Sequence, residues 1–124
     1  MLKDAPITAL LGTVKPDVAK AFYADILGLD FITDDGFALV FKGENAEIRI
    51  SRVPVVSPTQ YAVLAFNVPD IEARIDGMKP KGVIFARFGM FPQDERGIWV
   101  APDGTKVAWF HDPDLNMLSL VQRA

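Results

Sequence analysis

The chain has 124 residues, half of them hydrophobic, with 13 Lys+Arg against 16 Asp+Glu, a formal net charge of -3 and no cysteine. That length closes one good core and divides poorly into two, and the acidic balance offers no broad basic field for a phosphate backbone, so nucleic acid is not an expected partner. No apolar run nears the roughly 20 residues of a membrane-spanning helix, and MLKDAPITAL lacks the basic and apolar stretches of a secretory signal, so the expected location is cytoplasmic with no membrane partner.

Ile7 to Val14 is apolar and β-branched and runs into Lys15-Pro16-Asp17, which reads as a buried strand stopping at a helix start. From Pro16, the spacing of Val18, Ala21, Phe22 and Ile26 draws one apolar helical stripe, and Gly28 is a natural stop. Three strands are predicted next, at Asp30 to Thr33, Phe37 to Lys42 and Glu47 to Arg52, parted by Asp34-Asp35-Gly36 and Gly43-Glu44-Asn45. Val53 to Thr59 carries two prolines and reads as a linker. The order then restarts: a strand over Tyr61 to Val68, a helix from Pro69-Asp70 to Pro80 and Gly82, and strands over Val83 to Phe88, Gly97 to Trp109 (broken by Pro102-Asp103-Gly104) and Met117 to Val121.

The restart is a repeat. Leu10 and Leu64, Val14 and Val68, Gly28 and Gly82, and Phe31 and Phe85 all differ by 54 positions. Asp17 and Asp70 differ by 53, which places one extra residue of the first half at its strand-to-helix turn. The expectation is one α+β domain of two βαβββ modules, over about 5–52 and 60–124, joined by 53–59.

Phe22-Tyr23 with Ile26-Leu27-Gly28-Leu29, then Val68-Pro69-Asp70-Ile71, then Ala108-Trp109-Phe110-His111-Asp112-Pro113-Asp114-Leu115-Asn116 ahead of Leu118-Ser119-Leu120, resembles the vicinal oxygen chelate (VOC) superfamily of glyoxalases, bleomycin resistance proteins and extradiol dioxygenases. The resemblance spans nearly the whole chain. It implies a half-open barrel of two βαβββ modules around a cavity, a homodimer, and in the family's enzymes a divalent metal held by a first-strand His of each module and a Glu just after the DPDGN turn. On this sequence those His positions fall on Ala9, or Thr8 by a second count, and on Val63, and the Glu position falls on Ser119. None of these ligates as an imidazole or carboxylate does, so no metal and no other cofactor is expected. Glu47 is the candidate carboxylate of the first module. Leu115 stands where the family usually has Gly, which moves the left-handed residue to Asn116 or reshapes the turn.

Several residues are cavity candidates. Glu47 and Arg49 share one face of a strand opposite Ile48 and Ile50; Arg49, helped by Arg52, suits a carboxylate or phosphate, or else merely pairs with Glu47 at a solvated edge. The segment Phe88 to Trp99 is too apolar for an ordinary connection. It reads as a loop over the cavity mouth, with Met90, Phe91 and Trp99 as an apolar wall and Gln93 and Asp94 for orientation, or as a dimer contact. Of Trp109 and Phe110, one faces the cavity and one the helices. Ser119 reads as a small residue opening volume, and His111, the single histidine, as an exposed strand end.

The function expected from these residues is metal-independent binding of a small organic molecule. The alternatives are a glyoxalase-like lyase, isomerase or dioxygenase using Glu47, Asp94, Glu95 or His111, and a dimeric partner-binding regulatory module.

Overall fold

The structure is a computed structural model describing all residues, 1–124, in two compact units, Met1–Ser57 and Pro58–Ala124. The boundary lies within the proline-bearing segment 53–59.

In the first unit, β1 (Thr8–Thr13) leads to α1 (Pro16–Ala21), followed by β2 (Asp30–Asp34), β3 (Ala38–Lys42) and β4 (Glu47–Arg52). The sheet order is β1-β4-β3-β2, with β1 parallel to β4 and the other pairs antiparallel. Alternation sorts the strands into two faces. Leu11, Ile48, Ile50, Leu39 and Phe41 are buried on the helix side, where Phe41 meets the Tyr23 ring at 5.7 Å. Arg49, Val40 and Leu10 align across the opposite face.

The second unit repeats the order with β5 (Leu64–Asn67), α2 (Ile71–Met78), β6 (Trp99–Val100), β7 (Lys106–His111) and β8 (Met117–Gln122), in a sheet ordered β5-β8-β7-β6. Asp70 caps α2 by accepting from Ala73 N–H at 3.1 Å, and Gln122 Oε1 accepts from Ile71 N–H at 2.9 Å, so two orphan donors of that helix end are satisfied. Ile71, Ile75, Phe110 and Leu118, all 0% exposed, form its core.

Two expectations are corrected here. The strand predicted over Val83 to Phe88 shrinks to a bridge between Phe85 and Phe110 plus one hydrogen bond from Ala86 N–H to Trp109 C=O. The Gln93 side chain takes the Phe88 N–H and the Ala86 C=O, groups a continuing ladder would use, and the chain leaves the sheet until Trp99. The extra residue of the first module is also placed differently. Strand partners equate Ala9 with Leu64, opposite Ile48 and Leu118, and the helix caps equate Lys15 with Asp70, an offset of 55. After the helix, Gly28 and Gly82, both at positive φ, restore 54. The extra residue therefore lies inside the first helix, where Phe22–Ile26 forms a π-turn closed by Leu27 N–H to Phe22 C=O at 3.0 Å.

Candidate functional site

The DPD-type turn links β7 to β8. Asp112, 3% exposed, accepts from the N–H groups of Asp114 and Asn116 and from the Asn116 amide at 2.8 to 2.9 Å. These bonds hold the turn with Leu115 itself at φ 66, so the left-handed position has not moved to Asn116. A side chain there costs roughly 1–2 kcal/mol of backbone strain.

The turn sets β8 against β7 in a register that answers the open question about the aromatics. Phe110 pairs with Leu118 and faces the core, 5.6 Å from the Phe85 ring. Trp109 pairs with Ser119 on the opposite face, where Trp99 joins it, 6.2 Å between ring centroids, because Trp99 pairs with Val107. Phe91 lies 5.4 Å from both indoles, and Phe88 lies 5.7 Å from Phe91 and 5.3 Å from Trp109. The result is a four-ring cluster on one face of the second sheet. A recess of about 230 Å³ opens against it, with Phe88, Phe91 and Trp109 on one side and Tyr61, Met90 and Met117 among the others.

The loop bearing Phe88 and Phe91 is held by its own polar groups. Gln93 accepts from Phe88 N–H at 2.7 Å and donates to the Ala86 and Gly97 carbonyls at 3.0 and 2.8 Å. Asp94 Oδ1 accepts from the N–H groups of Arg96 and Ile98, and Arg87 donates to the carbonyls of Asp94 and Glu95. Arg96 grips Asp76 of α2 bidentately at 2.9 and 3.0 Å, a pairing that lowers the Asp76 carboxyl pKa and raises that of the arginine. Gln93 and Asp94 thus build the loop that presents Phe88 and Phe91.

The other candidates lie in the first unit. Arg49 and Arg52, three apart on β4, emerge on opposite faces, and the consecutive Asp34 and Asp35 do the same, so each face receives one pair. Arg49 donates to Asp35 at 2.8 Å, and Arg52 holds Asp34 with two bonds of 2.6 Å. Asp34 is pulled from 3.8 to about 2, first by the hydrogen bond from Arg52 and then by Gly36 N–H. Asp35 falls likewise to about 2, through Arg49 and the N–H groups of Ala38 and Phe37. Arg49 therefore pairs with Asp35 rather than Glu47. Glu47, paired in register with Lys42, lines a separate groove of about 630 Å³ that also includes Ile7, Ile32 and Asn45. The aspartates of the β2-β3 turn were legible as turn formers, and their match in parity to the arginines was the missed signal.

The metal that the resemblance implies has no donor set among these residues. Register equates Thr8 with Val63 at the first-strand position, and Arg49 with Ser119 at the last-strand one, since Arg49 faces Leu10 and Val40 as Ser119 faces Ala65 and Trp109. Ser119 is buried, 3% exposed. No three His, Cys, Asp or Glu side chains group in a way that could hold a metal ion, so the residues present do not fit the group.

No protein-family model and no curated protein matches the sequence. Solved structures do match it. A member of the glyoxalase/bleomycin resistance protein/dioxygenase superfamily from Sphaerobacter thermophilus aligns over 99% of this chain and 100% of its own, with TM-score 0.74 and 19% identity. A lactoylglutathione lyase from Agrobacterium tumefaciens aligns over 97% and 95%, with TM-score 0.74 and 15% identity. An antibiotic-binding protein from a Streptomyces species aligns over 98% of each chain, with TM-score 0.70 and 21% identity. The chain has the vicinal oxygen chelate fold: α+β, two βαβββ-type modules, each a four-stranded mixed sheet. Within that fold its structural neighbours include both a lyase and an antibiotic binder. No helix is long and apolar enough to cross a membrane.

Proposed function

We propose that the protein binds a small organic molecule without a metal ion, at the aromatic face of its second sheet. The observation that carries this reading is the four-ring cluster beside Ser119: the face on which the resemblance places a metal-binding carboxylate offers ring surface instead. The antibiotic-binding neighbour supports it. The protein acts as a homodimer in this reading, and Ile7 and Leu10, 82% and 71% exposed, give the first unit an apolar surface for a second copy.

A second reading, a lyase, isomerase or dioxygenase, draws on Glu47, which lines its groove beside Lys42, and on the lyase neighbour. Elemental analysis of protein made without a histidine tag, followed by a thermal-shift screen, separates the two. The binding reading expects no stoichiometric metal and at least one compound that raises Tm with or without chelator; at a hundred times its Kd such a compound adds about 2.7 kcal/mol. One equivalent of divalent metal, with ligand protection lost on chelation, would replace it by the enzyme reading.

A further inference from the structure

The rings are packed against one another, and that fixes what they can hold. Phe88, Phe91 and Trp109 sit 5.3 to 5.7 Å apart pairwise, in mutual contact, so no gap remains between them for a cation to be caged. Only their outer faces are on offer. The three rings stand 46° to 85° to one another, so a flat ligand stacks on one ring face and meets the edges of its neighbours, with Trp99 packed against Phe91 and Trp109 at 5.4 and 6.2 Å.

The rest of the recess agrees in character. Met90 and Met117 bring polarizable thioethers, which favour aromatic edges. None of the lining side chains is charged at neutral pH, and the only side-chain hydrogen-bonding groups besides the indole are the Gln60 amide and the Tyr61 hydroxyl. Arg87, next to Phe88 in the loop, donates to the carbonyls of Asp94 and Glu95 and does not line the recess. A charged ligand would lose its hydration here with no counter-charge to meet. The volume, about 230 Å³, lies below the roughly 300–1,000 Å³ of pockets for drug-sized molecules.

From these features, and resting on the reading of this face as the binding site, we infer that the recess takes an uncharged, planar aromatic system of about two or three fused rings. Gln60 and Tyr61 supply hydrogen bonds to a carbonyl or N–H at its edge. A larger ligand would carry the rest of its bulk outside. The wall needs no closure to form, since Gln93, Arg87 and Arg96 already hold the loop, so binding requires little ordering.

Three probes of equal size and different charge test this: acridone, N-methylacridinium and anthracenesulfonate, titrated against the full chain by tryptophan fluorescence. Acridone is expected to bind at least tenfold tighter than either ion. Phe88→Ala should weaken it at least tenfold, and Met90→Ala, at a residue 84% exposed and safe for folding, about threefold, while Lys42→Ala in the first unit leaves it unchanged. A charged probe that binds as tightly as acridone, or acridone binding indifferent to both Phe88→Ala and Met90→Ala, overturns the inference. If acridone fails while compounds of another class raise Tm, the ligand class is wrong and the binding function stands; if no compound of any class binds, both fall.

Discussion

The two sheets share one plan and differ at one edge. In the first, β2 runs beside β3 with a single irregularity between Phe31 and Thr33 and ends in a tight Asp34-Asp35-Gly36 turn. In the second, the corresponding edge is cut open: Phe85 pairs with Phe110, the chain departs, and Trp99–Val100 resumes the pairing. One edge is closed by paired charges, Asp34 with Arg52 and Asp35 with Arg49; the other carries a self-stapled loop that sets Phe88 and Phe91 against Trp99 and Trp109 of the strands. A duplicated scaffold can keep its core and specialise an edge, because edge strands have only one ladder to satisfy.

The sharpest test of the shared plan is a matched pair of core truncations. Phe41 and Phe110 occupy equivalent positions, each 0% exposed, each opposite an aliphatic residue of the next strand. Phe41→Ala and Phe110→Ala should each cost about 3–5 kcal/mol in urea unfolding. Costs that differ by more than a factor of about two would mean the cores are less alike than their registers.

The edge itself is tested by Gln93→Ala, which removes one acceptor and two donor bonds and should cost about 2 kcal/mol. Hydrogen exchange should then quicken across 86–98 and stay unchanged in the first unit. Uniform quickening would show that the loop is not a separate element. Leu115→Gly tests the turn between β7 and β8: relief of the φ 66 conformation, offset by chain entropy, should stabilise by up to about 1 kcal/mol. A destabilised variant would mean Leu115 contributes contacts that outweigh its strain.

The smallest effect lies in the first unit's charges. Asp34 and Asp35 are depressed to about 2 in the folded state, so their contribution is fully present above roughly pH 4 and is lost as pH falls through about 2. Acid titration of stability should therefore slope downward below pH 4, and the slope should flatten in an Asp34→Asn, Asp35→Asn double variant. An unchanged slope would assign the acid sensitivity elsewhere.

Much of this was legible in the chain. Apolar runs stopping at Pro16-Asp17 and Pro69-Asp70, with Gly28 and Gly82 beyond, marked both helices, because stop residues act locally. The loss of the strand predicted over Val83 to Phe88 was not legible, since its composition suits a sheet and only Gln93, several residues on, diverts its backbone. The π-turn was equally hidden: one added residue inside a helix leaves the apolar stripe readable and moves only the phase. Among the candidate site residues, the gathering of Phe91, Trp99 and Trp109 follows from apolarity where a loop should be polar. The pairing of Arg49 with Asp35 needed the register, which no single strand encodes.

The indole pair has an optical consequence. Trp99 and Trp109 are the chain's only tryptophans, and their centroids lie 6.2 Å apart on neighbouring strands β6 and β7. At that separation their electronic transitions couple, and the far-ultraviolet circular dichroism should carry an exciton couplet from this one hairpin. The couplet would vanish when the hairpin's register opens, whatever the rest of the chain is doing, so the molecule carries a chromophore pair that times the assembly of a single corner of its fold.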